Sequence, residues 1–363
     1  MANGMSQYQN LKITPLGVLS GIAPGRTFVE TICYSPLIIF TNMKKHLYLM
    51  ALVLIVSACS KSNDGDNDPG TTPGTGNGTG LTQMGSGMVY YDWATEGIQK
   101  VDLKTAVKGT LFKDNTRRNS WDISRDHTWL LEVTDAPNNY DNELYTITNI
   151  KDGTLVAQFV KETGYANHSS PKFSYDKKLL AVPPTDDDGI MLLDLKGNIL
   201  LNLITFQGKE LEGSIEWMPD NTLLFRQDNN LYRTNKEFTK ATLVTTFNFA
   251  SWNDLHVSPD GTKIALHGGN HLWMMNADGS NLTQITESNG VEVYPVFSPD
   301  SKYLLIGYDY TYTGTFGRYW HLAIIPADFN KYNVDKDADK RVIPFITKGE
   351  TRSETSDGTM LWR

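Results

Sequence analysis

Residues 252–300 read Trp252-Asn-Asp-Leu-His-Val-Ser-Pro-Asp260-Gly-Thr-Lys-Ile-Ala-Leu-His267, then Gly-Gly-Asn270, then His271-Leu-Trp-Met-Met-Asn-Ala-Asp278-Gly-Ser-Asn-Leu-Thr-Gln-Ile-Thr286. The phrase restarts at Val291 as Val-Glu-Val-Tyr-Pro-Val-Phe-Ser-Pro-Asp300. Leu255 and Val257 alternate with Asp254 and His256, the period of two that a strand with unlike faces requires. Ser258-Pro259-Asp260-Gly261 is a turn: Pro presets φ, Asp bonds its own backbone and Gly tolerates positive φ. Lys263 to Leu266 makes a second strand, Gly268-Gly269-Asn270 a hairpin, Leu272 to Met275 a third strand and Leu282 to Ile285 a fourth. Asn276-Ala277-Asp278-Gly279 reads as a plain turn, since no acidic residue closes it at calcium-loop spacing. Four β-rich runs repeating after 40 positions, Asp260 to Asp300, are the mark of a propeller blade.

Working outward, the inner-strand turn recurs at Ser124-Arg125-Asp126, Ser174-Tyr175-Asp176, Met218-Pro219-Asp220, Ser298-Pro299-Asp300 and Thr355-Ser356-Asp357. The aspartates are spaced 50, 44, 40, 40 and 57 residues apart. Both long intervals carry insertions, at 136–142 in the first and at 308–319 and 330–340 in the last. Six inner strands predict an all-β, six-bladed propeller of four-stranded antiparallel blades over 83–363, with seven blades as the runner-up. The runs Met88 to Asp92, Ile98 to Leu103 and Gly109 to Phe112 lack an inner strand of their own, and residues 351–363 supply one. One blade built from both chain ends would close the ring and remove its exposed edges.

The 363 residues carry 33 basic and 41 acidic side chains, for a net charge of −8. The first 58 do not belong to the propeller. Met43-Lys44-Lys45 followed by the apolar run Leu47 to Val56 is a charged n-region and an h-region too short to span a bilayer as a helix. It ends in Val56-Ser57-Ala58-Cys59, which resembles a bacterial lipobox. That resemblance implies a signal peptide over 43–58, cut before Cys59, and a lipid anchor on that cysteine. Residues 1–42 fit an upstream start or a leader absent from the mature protein. Losing 1–58 removes Lys12, Arg26, Lys44, Lys45 and Glu30, which takes the net charge to −11. An acidic surface argues against nucleic acid as a partner. Of the two cysteines, Cys33 is lost and Cys59 lipidated, which leaves no disulfide or cysteine metal site. Residues 59–82 are the lipidated cysteine and a linker, of which Ser60 to Gly80 is rich in Gly, Thr, Asn, Asp and Pro without an apolar face, a flexible tether spanning on the order of 25 Å as coil. The acidic run 63–68 resembles the signal that sends Bacteroidetes lipoproteins to the outer face.

The Ser-Pro-Asp-Gly turns and the ending Asp278-Gly-Ser-Asn-Leu-Thr-Gln-Ile-Thr286 resemble the repeats of the TolB propeller family, which is periplasmic. The resemblance covers roughly 85–363, strongly at 252–300 and with Arg125 and Tyr175 in place of Pro elsewhere. It does not include the α/β domain that precedes the family's propeller. The related prolyl oligopeptidases pair the propeller with a hydrolase domain, but no Gly-x-Ser-x-Gly elbow occurs here.

Propeller topology places the loops leading into inner strands and those joining second to third strands on one face, and the Pro-Asp-Gly turns on the other. The first face offers His168, Trp252, Asp254, His267, His271, Tyr294 and the loop from Tyr308 through Tyr310, Tyr312, Arg318 and Tyr319 to Trp320 as candidate ligand contacts. Such aromatics with Asp and Arg stack on sugar rings and bond their hydroxyls; the structural alternative is a hairpin whose tyrosines pack on the next blade. Asp186 to Asp188 reads as a solvated acidic turn. Oligogalacturonate lyases, propellers of the same superfamily, use histidines and a metal on this face, but no family motif maps onto His168, His256, His267 and His271. Ser120/Asp122, Ser170/Lys172, Ser214/Glu216 and Asp254/His256 alternate with apolar neighbours and are expected to line the central channel. The reading is therefore a monomeric cell-envelope lipoprotein, membrane-bound through its lipid and destined for the outer membrane. It acts as a non-catalytic binding or protein-interaction scaffold, with no cofactor and no metal. A glycan-binding or polysaccharide-degrading propeller is the alternative.

Overall fold

The computed structural model describes residues 80–363 apart from 85, 138, 163–167, 186, 187, 315 and 316, together with the backbone of a short strand, Tyr8–Asn10. Cys59, the lipobox, the acidic run and the tether up to residue 79 lie outside the described residues. Six four-stranded antiparallel blades follow one another. The first runs Arg118–Ile123, Trp129–Ala136, Asn139–Asn149 and Leu155–Glu162 from the axis outward. The next three begin at the inner strands Lys172–Phe173, Ile215–Trp217 and Trp252–Val257. The fifth begins at Val293–Phe297 and carries the longest hairpin after the first blade's, Tyr303–Tyr312 with Arg318–Pro326. The strand Tyr8–Asn10 pairs with the outer edge of the third blade at Lys240–Thr246, although it falls in the stretch assigned to a leader.

Closure is where sequence and structure part. The sixth blade takes Met360–Trp362 as its innermost strand and Met88–Trp93, Gly97–Asp102 and Val107–Phe112 outside it. Both chain ends therefore build one blade, as expected. The strand that does so, however, lies beyond Thr355-Ser356-Asp357. That triplet is not an inner-strand turn: Thr355–Ser356 pairs instead with Trp320 and His321 of the fifth blade. An inner strand in the other blades precedes its turn; here the strand comes last, and its partner Met88 is reached through space. Met88 and Arg363 exchange N–H···O bonds of 2.6 and 2.9 Å.

The recurrent turn has one physical explanation across blades. Ser258 Oγ donates to Asp260 at 2.6 Å and accepts the Lys263 N–H at 2.9 Å. Ser124, Ser174 and Ser298 repeat both bonds. The position after the aspartate is left-handed in every case: Gly261, His127, Lys177, Asn221 and Ser301 have φ between 58° and 72°. Gly261 takes that conformation without strain. The others use their side chains to reach the preceding blade's turn or, for His127, Tyr90: Asn221 accepts the Asp176 N–H, Ser301 accepts the Asp260 N–H and Lys177 bonds Asp126 and Thr128.

The apolar faces of the strands meet between blades, in six clusters that follow the six interfaces. The one spanning the fifth and sixth blades packs Val89, Tyr91, Trp320, Phe345 and Trp362. The one spanning the sixth and first packs Tyr90, Ile98, Trp121 and Leu361. The inner strand Met360–Trp362 thus feeds both interfaces of its blade. Ending the chain after Thr359 removes that strand and is expected to abolish the cooperative melt. Trp362→Ala, which keeps the backbone pairing, should lower stability by about 3–5 kcal/mol; calorimetry on both variants checks this.

Candidate functional site

Equivalent positions of the inner strands surround the axis. Six residues before each turn aspartate stand Ser120, Ser170, Ser214, Asp254 and Tyr294; four before it stand Asp122, Lys172, Glu216, His256 and Val296. Side chains at alternate positions share a strand face. Most of these residues, with Leu361, Arg363 and Arg125, line a central cavity of about 340 Å³. Of the expected channel set, all but Ser120 line this cavity; Ser120 is buried instead, its hydroxyl donating to the Ser169 carbonyl at 2.6 Å.

The floor of the cavity is ionic. Glu216 is buried and takes two cations, Arg125 Nη2 at 2.7 Å and Lys172 Nζ at 2.7 Å. Asp122 accepts the Phe173 N–H at 2.8 Å and lies 3.3 Å from Arg363 Nη2. Arg363 also donates from Nε to the Ile123 carbonyl at 2.8 Å. Only 4% of its side chain is exposed, against 37% for Lys172. Arg125 lies over the Tyr175 ring, 5.0 Å from its centroid. Burial raises the Glu216 carboxyl, but Lys172 and Arg125 outweigh it and hold the group at about 2. Burial pushes Asp122 up against the pull of Arg363. Burial and then Arg125 drive His256 well below the ordinary imidazole range, so it is neutral at pH 7.

The mouth lies at the opposite end. Asp254 and Tyr294 are at bulges and in the left-handed region, with φ 56° and 52°. Such conformations in non-glycine residues persist only where the surroundings enforce them. Here Asp254 accepts the Tyr294 N–H at 3.3 Å and faces His267 Nδ1 at 3.8 Å. Burial pushes the Asp254 carboxyl up while His267 pulls it down. Tyr294 stacks on Trp320 with centroids 4.7 Å apart, Tyr310 stacks on Trp320 at 6.2 Å, and Arg318 lies 5.8 Å from the Tyr294 centroid.

The structure thus brings together Asp254, His267, Tyr294, Tyr310, Arg318 and Trp320. It separates the rest. His168 stands exposed on the lead-in to the second blade. His271 is held 2.7 Å from the buried Glu292. Tyr308 donates to Ser353, and Tyr319 meets His321 edge-on. Tyr312 projects with 72% of its surface exposed. Two expected surface contacts are corrected. Trp252 is buried against Phe247, its indole N–H on the Asp228 carbonyl. Trp320 is fully buried, its N–H 3.2 Å from Met360 Sδ. Each is more apolar than the hairpin positions around it, so blade packing claims it. Among the described residues no three His, Cys, Asp or Glu side chains gather closely enough to hold a metal ion. Arg125, Tyr175 and Arg363 were missed as site residues. The signal was present: Arg125 and Tyr175 occupy positions that are proline in three other turns, and Arg125 turns inward to the floor.

The Glu216 pair sets a pH dependence. Its folded value lies below that of the unfolded chain, so its contribution is complete above about pH 5 and is lost as pH falls toward about 2. Glu216→Gln leaves the largely buried Arg125 and the partly exposed Lys172 short of a partner and should cost about 3 kcal/mol at pH 7. Melting curves of the variant should also lose much of the wild type's decline across that acid range.

No protein-family model matches the sequence, and no curated protein gives a significant match. Solved structures do. The chain is similar to TolB from Acinetobacter baumannii, with a TM-score of 0.51 and 19% identity, over 76% of this chain and 66% of that one. A putative TolB from Agrobacterium tumefaciens matches with a TM-score of 0.47 and 17% identity, over 68% and 86% of the two chains. The Swd1 propeller domain of Myceliophteria thermophila matches at 0.45 and 13%, over 76% and 97%. At these identities the likeness is one of fold: this chain shares the β-propeller architecture of TolB-like proteins.

Proposed function

We propose that this chain is a cell-envelope lipoprotein, tethered through Cys59 and directed to the outer membrane, whose propeller is a non-catalytic binding scaffold. The observation that carries the binding part is the inequality of the two ends of the ring. One end repeats a Ser-capped turn. The other sets Ser170, Ser214, Asp254 and Tyr294 at equivalent positions around one cavity mouth. Unlike groups converging on a concave site over a rigid scaffold are what ligand recognition uses. The envelope part rests on the order of n-region, h-region and lipobox, and the resemblance to a periplasmic family agrees with it.

A glycan as the ligand is supported by Tyr312, whose exposed ring offers a stacking plane beside Arg318 at the rim. A histidine-dependent lyase draws no support from the arrangement, in which His256, His267 and His271 have separate partners or surroundings. Two measurements test the proposal. Cys59→Ser should release the protein into the soluble fraction of lysed cells; a variant as firmly membrane-bound as wild type contradicts the tether. Incubation with polygalacturonate or alginate, with and without manganese or calcium, should give no product. Product formation that His168→Ala or His256→Ala abolishes would overturn the scaffold reading. If a glycan binds, Tyr312→Ala should weaken it by about two- to tenfold, the worth of one stacked ring.

A further inference from the structure

The cavity floor holds more hydrogen-bond donors than acceptors. His256 settles the matter most sharply. Its Nδ1 accepts the Phe297 backbone N–H at 3.3 Å, which places the ring proton on Nε2. That Nε2 is buried and has no hydrogen-bond partner. A donor left unpaired inside a protein costs on the order of 1–3 kcal/mol, so such groups are ordinarily satisfied by a neighbour, a water or a ligand. His256 belongs to the cavity lining.

The other floor side chains add to the surplus. Three cations, Arg125, Lys172 and Arg363, face two carboxylates, Asp122 and Glu216. Glu216 already takes one bond from each of Arg125 and Lys172 and lies next to the Trp217 N–H. Asp122 already takes Phe173 N–H and Arg363. Lys172 has three protons and gives one each to Glu216 and the Ile215 carbonyl, which leaves a third. The Arg125 guanidinium has five N–H groups, one of them directed at Glu216. Above this floor the wall includes apolar Leu361 and Pro295, and the mouth carries Ser170 and Ser214. The space, about 340 Å³, falls at the lower end of the range of about 300–1,000 Å³ for small-molecule sites.

We propose that the floor of this cavity binds the carboxylate of a small organic acid, which accepts from His256 Nε2–H and from the free donors of Arg125 and Lys172, with the acid's body pointing to the mouth. Desolvation makes such a site selective. A carboxylate entering it meets fixed donors, whereas a neutral analogue leaves His256 and the cations as they were. The neutral state of His256 at pH 7 fits this role: it donates a hydrogen bond without adding a further charge to three existing ones. The inference rests on the cavity being the ligand site.

The test uses the full chain labelled with ¹⁵N-histidine, titrated at pH 7 with benzoate and glucuronate and, as matched neutral controls, benzyl alcohol and glucose. A carboxylate also ends a polypeptide, so acetyl-trialanine and its amide run beside them and tell a free acid from a chain terminus. The small acids should saturate and shift the His256 Nε2–H resonance, at least about tenfold more tightly than their neutral counterparts. Lys172→Met should weaken the acids by at least about tenfold and leave the weak binding of the neutral compounds as it is. Equal binding of acid and neutral forms, or a His256 resonance unmoved at about 50 mM acid, overturns the proposal in wild-type protein without relying on any variant. Binding by acetyl-trialanine alone would replace the small acid by a chain terminus and also overturn it. None of these results bears on whether the protein is catalytic, which the polysaccharide incubations decide separately.

Discussion

Everything in this molecule depends on the pairing of Met360–Trp362 with Met88–Trp93. Five blades can be laid down in order, each by local hairpins, but an open arc would expose two sheet faces and two unpaired strands. The contact that prevents this joins residues more than 260 positions apart, and it is bought late in folding, because a loop of that length must close before the pairing contributes. Once made, it fixes two inter-blade cores at once, through Trp362 on one side and Leu361 on the other. It also carries Arg363 into the axis, where the guanidinium meets Asp122. Closing the ring and building the cavity floor are therefore the same event.

Much of this was legible in the sequence. The 40-residue repeat from Asp260 to Asp300 gave blade boundaries because the turn chemistry is local: Ser258, Asp260 and Gly261 satisfy one another within four residues. The alternation of Asp254 and His256 with Leu255 and Val257 gave the channel face because strand periodicity is also local. The last inner strand was misplaced for the converse reason. Thr355-Ser356-Asp357 has the letters of a turn, whereas Met360–Trp362 is an inner strand only because Met88–Trp93 and the two strands after it lie beside it. Trp252 and Trp320 were assigned to the surface by loop position. Burial against Phe247, Tyr294 and Tyr310 is a property of neighbouring blades that a single strand does not reveal.

The axis shows what the departures from the repeat achieve. Proline at the turn, as in Pro219, Pro259 and Pro299, stiffens the backbone and brings no charge. Arg125 in that position instead sends a guanidinium inward to a buried glutamate, and Tyr175 beside it supplies an aromatic face. A buried ion pair is a poor source of stability, since desolvation offsets most of its attraction. Its place at the floor of a cavity, with a histidine donor left over, is what the proposed recognition of a carboxylate would use. The mouth follows the same logic. Asp254 and Tyr294 adopt strained, left-handed backbone conformations at the rim, where the first blade's inner strand has only a register shift between Arg118 and Ser120.

The closure of the ring is tested most directly by native-state hydrogen exchange on the intact chain. If Met360–Trp362 is an integral inner strand, its paired amides exchange only through global unfolding, at the same free energy as the amides of Trp252–Val257. Exchange of the terminal strand through local opening, several kcal/mol easier than that of the fourth blade, would contradict the account and leave the cavity floor without its foundation.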